Sequence, residues 1–264
     1  MKALVTGSTG FIGSQVCRAL VAAGYQVRAF HRPSSSLELL KGLGDEAVEH
    51  ALGDITQPDS IRAAMQGIDV VFHAAAQLGS PRDPNQMYAV TQFGTRSVLA
   101  EALRVGVRRV VHTSSVAALG VPGRPARGQE PVPMDEYHTW NYPPQYWRYG
   151  HAKYLAEMEV QQAVARGLDV VIVNPAIVMG AGDLNRVGGG ILIQVARGRI
   201  PVSVVGGLNV VHIDDVVRGH LAALDCGRTG ERYILGGENM TIQQFLSLIA
   251  EVSGVAPPRI TLPA

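Results

Sequence analysis

The sequence is poor in the features that mark secreted, membrane or nucleic-acid-binding chains. It holds only two cysteines in 264 residues, Cys17 and Cys226, far apart in the chain. Cys17 falls on the first helical pattern and Cys226 at the end of a later one. Both read as reduced, half-buried residues rather than a disulfide, which suits a reducing compartment. No charge of one sign dominates: Lys and Arg number 23, Asp and Glu 22, for a net +1. Nothing therefore points to nucleic acid or to an anionic membrane surface as a partner. No apolar run reaches the length of a membrane span. The N-terminus runs straight into a strand, with no signal peptide in view. No repeat or low-complexity segment breaks the chain. A soluble cytoplasmic protein is the expectation, and 47% apolar residues supply core enough for one large domain or two modest ones.

What is present is concentrated in the first thirteen residues. An apolar strand, Ala3–Thr6, runs into Gly7, Gly10 and Gly13, and a helical apolar pattern follows through Phe11, Ile12, Val16, Leu20 and Val21. Glycine permits a tight turn, close approach of a phosphate to the main chain, and close helix–strand packing. The helix N-terminus then aims free N–H groups and partial positive charge at the phosphates. Three glycines alone would be a turn; directly after a strand they read as a dinucleotide cradle. The spacing is G-x-x-G-x-x-G rather than G-x-G-x-x-G.

Strand and helix patterns then alternate. Strand signals at 26–31, 47–51, 70–74, 109–113 and 169–173 are separated by helical patterns at 11–23, 59–66, 84–105 and 150–166. That rhythm predicts an α/β Rossmann fold: a doubly wound parallel sheet covered by helices on both faces. Gly24, Gly67, Gly106 and Gly167 close the helical patterns. The expected division is a dinucleotide-binding domain over 1–174 and a mixed sheet-completing and substrate-binding lobe over 175–264. The lobe has helical patterns at 188–196 and 214–224, short strands at 202–205, 209–213 and 232–235, and a last helix, 241–252, capped by Thr241. Residues 120–148 interrupt the rhythm with six prolines and with Tyr137, Trp140, Tyr142, Tyr146 and Trp147. The segment is either a loose excursion or, as the aromatic density favours, a packed flap beside a site.

The end of the second strand meets the adenosine ribose in such folds. An acid there reads NAD, a basic residue NADP. Here the strand ends in His31-Arg32-Pro33-Ser34, and no acid follows until Glu38. Arg32 is placed to fork onto a 2′-phosphate, or is a solvated surface charge; the expectation is NADP, with NAD the alternative. Asp54 after the third strand is either an adenine acceptor, with Ile55 against the ring, or a turn former. The small residues Ala74, Ala75 and Ala76 leave room for a cofactor, or for close helix–sheet packing.

Tyr149 and Lys153 are four apart on one helical face. A lysine ammonium near a phenol, whose free pKa is about 10, is expected to draw it down toward working pH and make it an acid/base. The spacing alone is common by chance. Ser114 and Ser115 arrive at the carboxyl end of the fifth strand, where ligands bind in these folds; they are either turn formers or a hydroxyl for a substrate oxygen.

Taken together, Val5-Thr-Gly-Ser-Thr-Gly-Phe-Ile-Gly13, Gly53-Asp54, His73-Ala-Ala-Ala76, Thr113-Ser-Ser115, Tyr149-Gly-His-Ala-Lys153, Asn174-Pro175 and Val211-His-Ile-Asp-Asp215 resemble the extended short-chain dehydrogenase/reductase family, the NAD-dependent epimerase/dehydratase group. Segments are similar to dihydroflavonol 4-reductase-like and hopanoid-associated sugar epimerase-like members. The resemblance implies Ser115 as catalytic hydroxyl, Tyr149 as acid/base and Lys153 as its partner on the nicotinamide ribose. It implies cofactor contacts at Gly7, Thr9, Gly10, Phe11, Ile12, Gly13, Arg32, Asp54, Ile55, Ala74, Ala75, Ala76, Thr113, Tyr149, Lys153, Pro175, Ala176, Ile177 and Val178. It implies no metal, with His212, Asp214 and Asp215 setting the following helix. It also implies a homodimer through the Tyr149 helix and the long helix before the fifth strand. Two departures stand out. Thr91 occupies the place of the family's Asn, which supports a proton relay. The chain also ends at Leu262-Pro-Ala264, where relatives commonly continue. Three functions follow in order: an NADPH-dependent reductase of a carbonyl, a nucleotide-sugar epimerase or dehydratase, and a non-catalytic dinucleotide sensor.

Overall fold

The computed structural model describes residues 1–44, 46–77, 83–123, 132–183 and 189–262. The strands are β1 Lys2–Thr6, β2 Gln26–His31, β3 Val48–Leu52, β4 Val70–His73, β5 Arg109–Thr113, β6 Val170–Pro175, β7 Ile177–Met179, β8 Val202–Val204, β9 Gly207–His212, β10 Arg232–Leu235, β11 Glu238–Thr241 and β12 Ile260–Leu262. The helices are α1 Phe11–Ala22, α2 Pro58–Ala64, α3 Pro84–Tyr88, α4 Gly94–Val105, α5 Arg148–Ala165, α6 Gly189–Ala196, α7 Ile213–Cys226 and α8 Ile242–Ser253. Two compact units result: Met1–Pro175 with Val217–Ile234, and Ala176–Val216 with Leu235–Ala264.

In the first unit a seven-stranded sheet runs β10-β6-β5-β4-β1-β2-β3, and the pairs from β3 through β6 are parallel. The central strands are buried on both faces, as their unbroken apolar runs require: Val70, Val71 and Phe72 on β4 and Val170 to Val173 on β6 have no exposed surface. One core gathers Leu4, Phe30, Ile61, Met65, Val71, Val98, Leu99, Val110, Val160 and Ile172. Strand order reverses between β1 and β4, and that switch point opens the crevice where ligands enter this class of sheet. The two compact units are not contiguous stretches of the chain. The chain leaves the first unit after Pro175 and returns for 217–234, because β6 needs β10 to satisfy its outer edge: Gly230 N donates to Val170 O and Ile172 N to Glu231 O.

The long helical pattern over 84–105 is not one α-helix. A π-helical stretch, Ala89–Phe93, separates α3 from α4. It turns Thr91 inward, where the Thr91 carbonyl accepts from Thr95 Oγ1 at 2.6 Å and its hydroxyl accepts from Gln77 N at 3.2 Å. Thr95 Oγ1 also meets His73 Nε2 at 2.9 Å, and His73 Nδ1 meets Thr6 Oγ1 at 2.7 Å. A buried polar chain thus links β1, β4 and α4. Burial drives the His73 pKa down to about 3, with the Lys153 charge adding to the effect.

The second unit holds a three-stranded sheet, β11-β9-β7, and a β12-β8 pair. β7, β11 and β12 are not among the strands expected from the sequence. Its core packs Val195 of α6 against Phe245, Leu246, Ile249 and Ala250 of α8. The capping of α8 by Thr241 is present: Thr241 Oγ1 accepts from Gln244 N at 3.0 Å, and Gln244 Oε1 accepts from Thr241 N at 2.8 Å. Both cysteines are free; Cys17 is buried, whereas Cys226, expected half-buried, is exposed at the end of α7. Among the described residues no helix is long and apolar enough to cross a membrane.

Candidate active site

The glycine cradle is held by contact, not by loop freedom. Gly7 has φ +68°, and a Cβ there would lie 2.7 Å from Ala75 N. A Cβ on Gly13 would run into the Gly7 carbonyl oxygen. Ala74 N donates to Thr6 O and Gly10 N to Gly7 O, so the ends of β1 and β4 and the start of α1 form one close-packed lip. α1 starts on Gly10 with no side-chain cap and no acid in its first turn. A helix of this length whose positive end is left uncapped, behind a backbone pressed against Ala74 and Ala75, fits a dinucleotide pyrophosphate. Thr9, Phe11 and Ile12 are half-buried on the same lip.

Arg32 lies exposed just past β2 and makes no ion pair with a described residue; its carbonyl accepts from Ser35 N in a turn. Asp54 Oδ1 accepts from Thr56 N at 2.8 Å and Thr56 Oγ1 at 2.7 Å, the turn-forming arrangement. Ile55 does not present its side chain as a platform. It packs into the core, where a Cβ on Gly94 would meet its Cδ1 at 2.6 Å; apolar burial outweighs exposure at that position. Ala76 is exposed beyond the lip. Pro175 closes β6, whereas Ala176, Ile177 and Val178 belong to the second unit, the last two on β7.

Ser115, Tyr149 and Lys153 converge at the carboxyl end of β5. Ser115 caps a short 3-10 turn, Val116–Leu119, its Oγ accepting from Ala117 N at 3.2 Å. Tyr149 is the second residue of α5 and interacts with the Ser115 hydroxyl. Lys153, one turn on, is buried, and its Nζ donates to Thr113 O at 2.9 Å. Thr113 Oγ1 meets His220 Nε2 at 2.9 Å. The expected depression of the Tyr149 pKa by Lys153 is corrected. Burial raises the tyrosine, and the interaction with Ser115 only partly opposes that. Lys153 itself falls to about 8, chiefly through burial, with Glu157 pulling the other way. Desolvation outweighs the neighbouring charge because both groups sit in the same dry crevice.

The described part of the flap is packed. Trp140 stacks on Tyr154 with centroids 6.1 Å apart and lies 6.0 Å from Trp147 and 5.6 Å from His151. Gly150, beside Tyr149, is sandwiched: a Cβ there would meet both Ala117 O and Trp140 Cζ3 at 2.7 Å. Asn141 ties the flap to Val121 through both its amide atoms, each at 2.9 Å. Residues 124–131 of the expected flap lie outside the described residues.

Sequence reasoning weighed Ser114 only beside Ser115 and passed over Glu157 and Arg232 as site residues. Glu157 accepts from Ser114 Oγ and from Asn174 Nδ2, and Arg232 pairs with it at 2.8 Å. The one signal available was the repeat of four from Tyr149 through Lys153 to Glu157 on α5.

Residues 3–236 match the sequence model of the NAD dependent epimerase/dehydratase family. The chain is 39% identical over 267 residues to sterol demethylase protein B of Methylococcus capsulatus, covering 100% of this chain and 78% of that protein. It is 37% identical to a putative dihydroflavonol 4-reductase of Synechocystis, covering 98% and 74%. Its fold matches a nucleoside-diphosphate-sugar epimerase from Pseudomonas aeruginosa at a TM-score of 0.83 and 27% identity, over 100% of this chain and 80% of that one. With the glycine cradle, the Ser-Tyr-Lys constellation and these relatives in hand, the chain belongs to the NAD dependent epimerase/dehydratase family, as an extended short-chain dehydrogenase/reductase enzyme.

Proposed function

We propose that the protein is an NADPH-dependent reductase of a carbonyl substrate. Arg32 carries this reading: an exposed guanidinium with no ion pair among the described residues, just past β2, suits the 2′-phosphate of a dissociable NADPH. The likeness to a putative dihydroflavonol 4-reductase supports it. A bound nicotinamide supplies the hydride. The Ser115 hydroxyl orients the substrate oxygen, and Tyr149 Oη gives that oxygen its proton. A tyrosine whose pKa is raised by burial keeps that proton and so suits an acid. Lys153, one turn along α5, would steady the phenolate left behind and is the residue that would hold the nicotinamide ribose.

NADPH and NADH consumption should be followed with ketones, aldehydes and nucleotide sugars. NADPH oxidation with a carbonyl supports the reading. Isomerised or dehydrated sugar without net consumption replaces it with the epimerase or dehydratase. Turnover of neither kind, with dinucleotide still bound, leaves a sensor.

The same reading includes a homodimer through α4 and α5. Their outer face carries a groove of about 350 Å³ lined by Arg96, Leu99, Leu103, Glu159, Ala163 and Arg166. Light scattering at micromolar concentration should give twice the chain mass, and a monomer rejects this interface.

A further inference from the structure

The carboxylate of Glu157 has no exposed surface, yet segments from three other parts of the first unit end on it. Ser114 donates its hydroxyl to Oε1. Asn174, at the end of β6, donates Nδ2 to the same oxygen at 2.7 Å and to the Ser115 carbonyl at 2.9 Å. Arg232, on β10, pairs with Oε2 at 2.8 Å and donates through its other nitrogen to the flap carbonyl of His138 at 3.0 Å. Two hydrogen-bond donors converge on Oε1, while Oε2 has no hydrogen-bond partner and is met by the Arg232 cation as an ion pair, so the acceptor-only carboxylate is the species that fits. The Asn174 amide orientation is fixed for the same reason, since both its neighbours are acceptors. Tyr149, Lys153 and Glu157 follow at intervals of four on α5 and share one face.

We infer that Glu157 is a positioning residue of the hydride-transfer site, holding the Ser115 loop through Ser114 and Asn174 and setting a buried counter-charge one helical turn from the Lys153 ammonium. The inference rests on the roles given above to Ser115, Tyr149 and Lys153. The groups around Lys153 leave the second task to Glu157. From β5 come the Thr113 carbonyl, which accepts from it, and His112; from β4, His73; from α5, Glu157, with Tyr149 one turn back on the same face. Both histidines are held neutral by burial and Tyr149 keeps its proton, so Glu157 brings the negative charge. Burial alone drives the ammonium toward neutrality, and the Glu157 charge opposes it. Arg232 balances the carboxylate in turn and joins the same network to the flap.

The test compares Glu157→Gln, Glu157→Asp and Ser114→Ala with the wild-type chain, following kcat, KM and NADPH binding by nicotinamide fluorescence from about pH 6 to about pH 10. Because Tyr149 is raised, an alkaline loss in this range reports Lys153. In Glu157→Gln the alkaline limb, in turnover and in binding alike, should move down by about one pH unit. That is about a tenfold loss above the limb, against less than about twofold near pH 6. Glu157→Asp keeps the charge and should leave the limb in place while lowering kcat, since its shorter reach loses Ser114 and Asn174. Ser114→Ala should lower kcat at every pH with the limb unmoved and KM for NADPH unchanged. A limb unmoved in Glu157→Gln overturns the inference, as does wild-type kcat in Ser114→Ala. Should Glu157→Gln fail to fold, Glu157→Asp decides alone: a wild-type kcat, or a limb lowered as far as one unit, counts against it. Failure of the reductase reading is distinct, because the wild-type chain would then turn over no carbonyl. The binding titration would still read the Lys153 proton.

Discussion

Lys153 donates its ammonium to the main-chain carbonyl of Thr113 at 2.9 Å, bridging α5 to the end of the strand that delivers Ser115. The side chain is buried, and its pKa is held at about 8. The free value is about 10.4. Between these the unfolded chain binds the extra proton, so stability rises with pH through that window and is lost as pH falls through about 8. Urea denaturation of the wild type and of Lys153→Met, repeated from about pH 7.5 to about pH 10.5, should show a rise in the wild type that the variant lacks. Parallel curves would remove burial as the controlling term.

His73 works in the acid range. Its pKa lies near 3 in the fold against an ordinary 6.5. The contribution is complete above about 6.5 and is lost as pH falls toward about 3, each unit being worth about 1.4 kcal/mol. Stability of the wild type should therefore fall steadily over that interval. His73→Asn, which keeps a polar group between Thr6 and Thr95, should be less stable at neutral pH and flatter in acid. A variant as steep as wild type sinks the assignment.

Gly13 and Gly24 separate two costs of glycine. Gly24 has φ +81° with open space around it, so Gly24→Ala bears only the left-handed penalty, about 1 kcal/mol. In Gly13→Ala the new methyl would meet the Gly7 carbonyl. That variant should lose NADPH binding by more than about tenfold, because the cradle must open to admit it. Calorimetric titration checks both, and equal behaviour would reject a contact-held lip.

Arg32→Ala should weaken NADPH binding by about 10- to 100-fold, the loss of one charge-assisted contact, and leave NADH almost unchanged. Equal affinity of the variant for both, at wild-type levels, would falsify the 2′-phosphate role.

Tyr149→Phe should lower kcat by about 10² to 10⁴ with NADPH affinity retained, since only the proton donor is removed. Ser115→Ala should fall in the same direction by less, because it loses orientation rather than the proton. Stopped-flow single-turnover rates distinguish this from slower product release. A wild-type chemical step in Tyr149→Phe would transfer the acid role elsewhere.

Much of this protein was legible in order of residues. The strand before Gly7, the helix after Gly13 and the repeat of four from Tyr149 to Lys153 are short-range patterns, set by backbone geometry and by which faces must be apolar. From them follow the parallel sheet, the cradle at its switch point and the Ser-Tyr-Lys constellation. Other features depend on sums over segments far apart in sequence. Whether Lys153 or burial governs Tyr149, whether Ile55 faces a ligand or the core, and why Arg232 returns from residue 232 to Glu157 all turn on desolvation and charge balance inside the packed unit. Those quantities exist only once β4, β5, β6, β10 and α5 have closed together, because it is that closure that removes water and brings the distant charges within reach of one another.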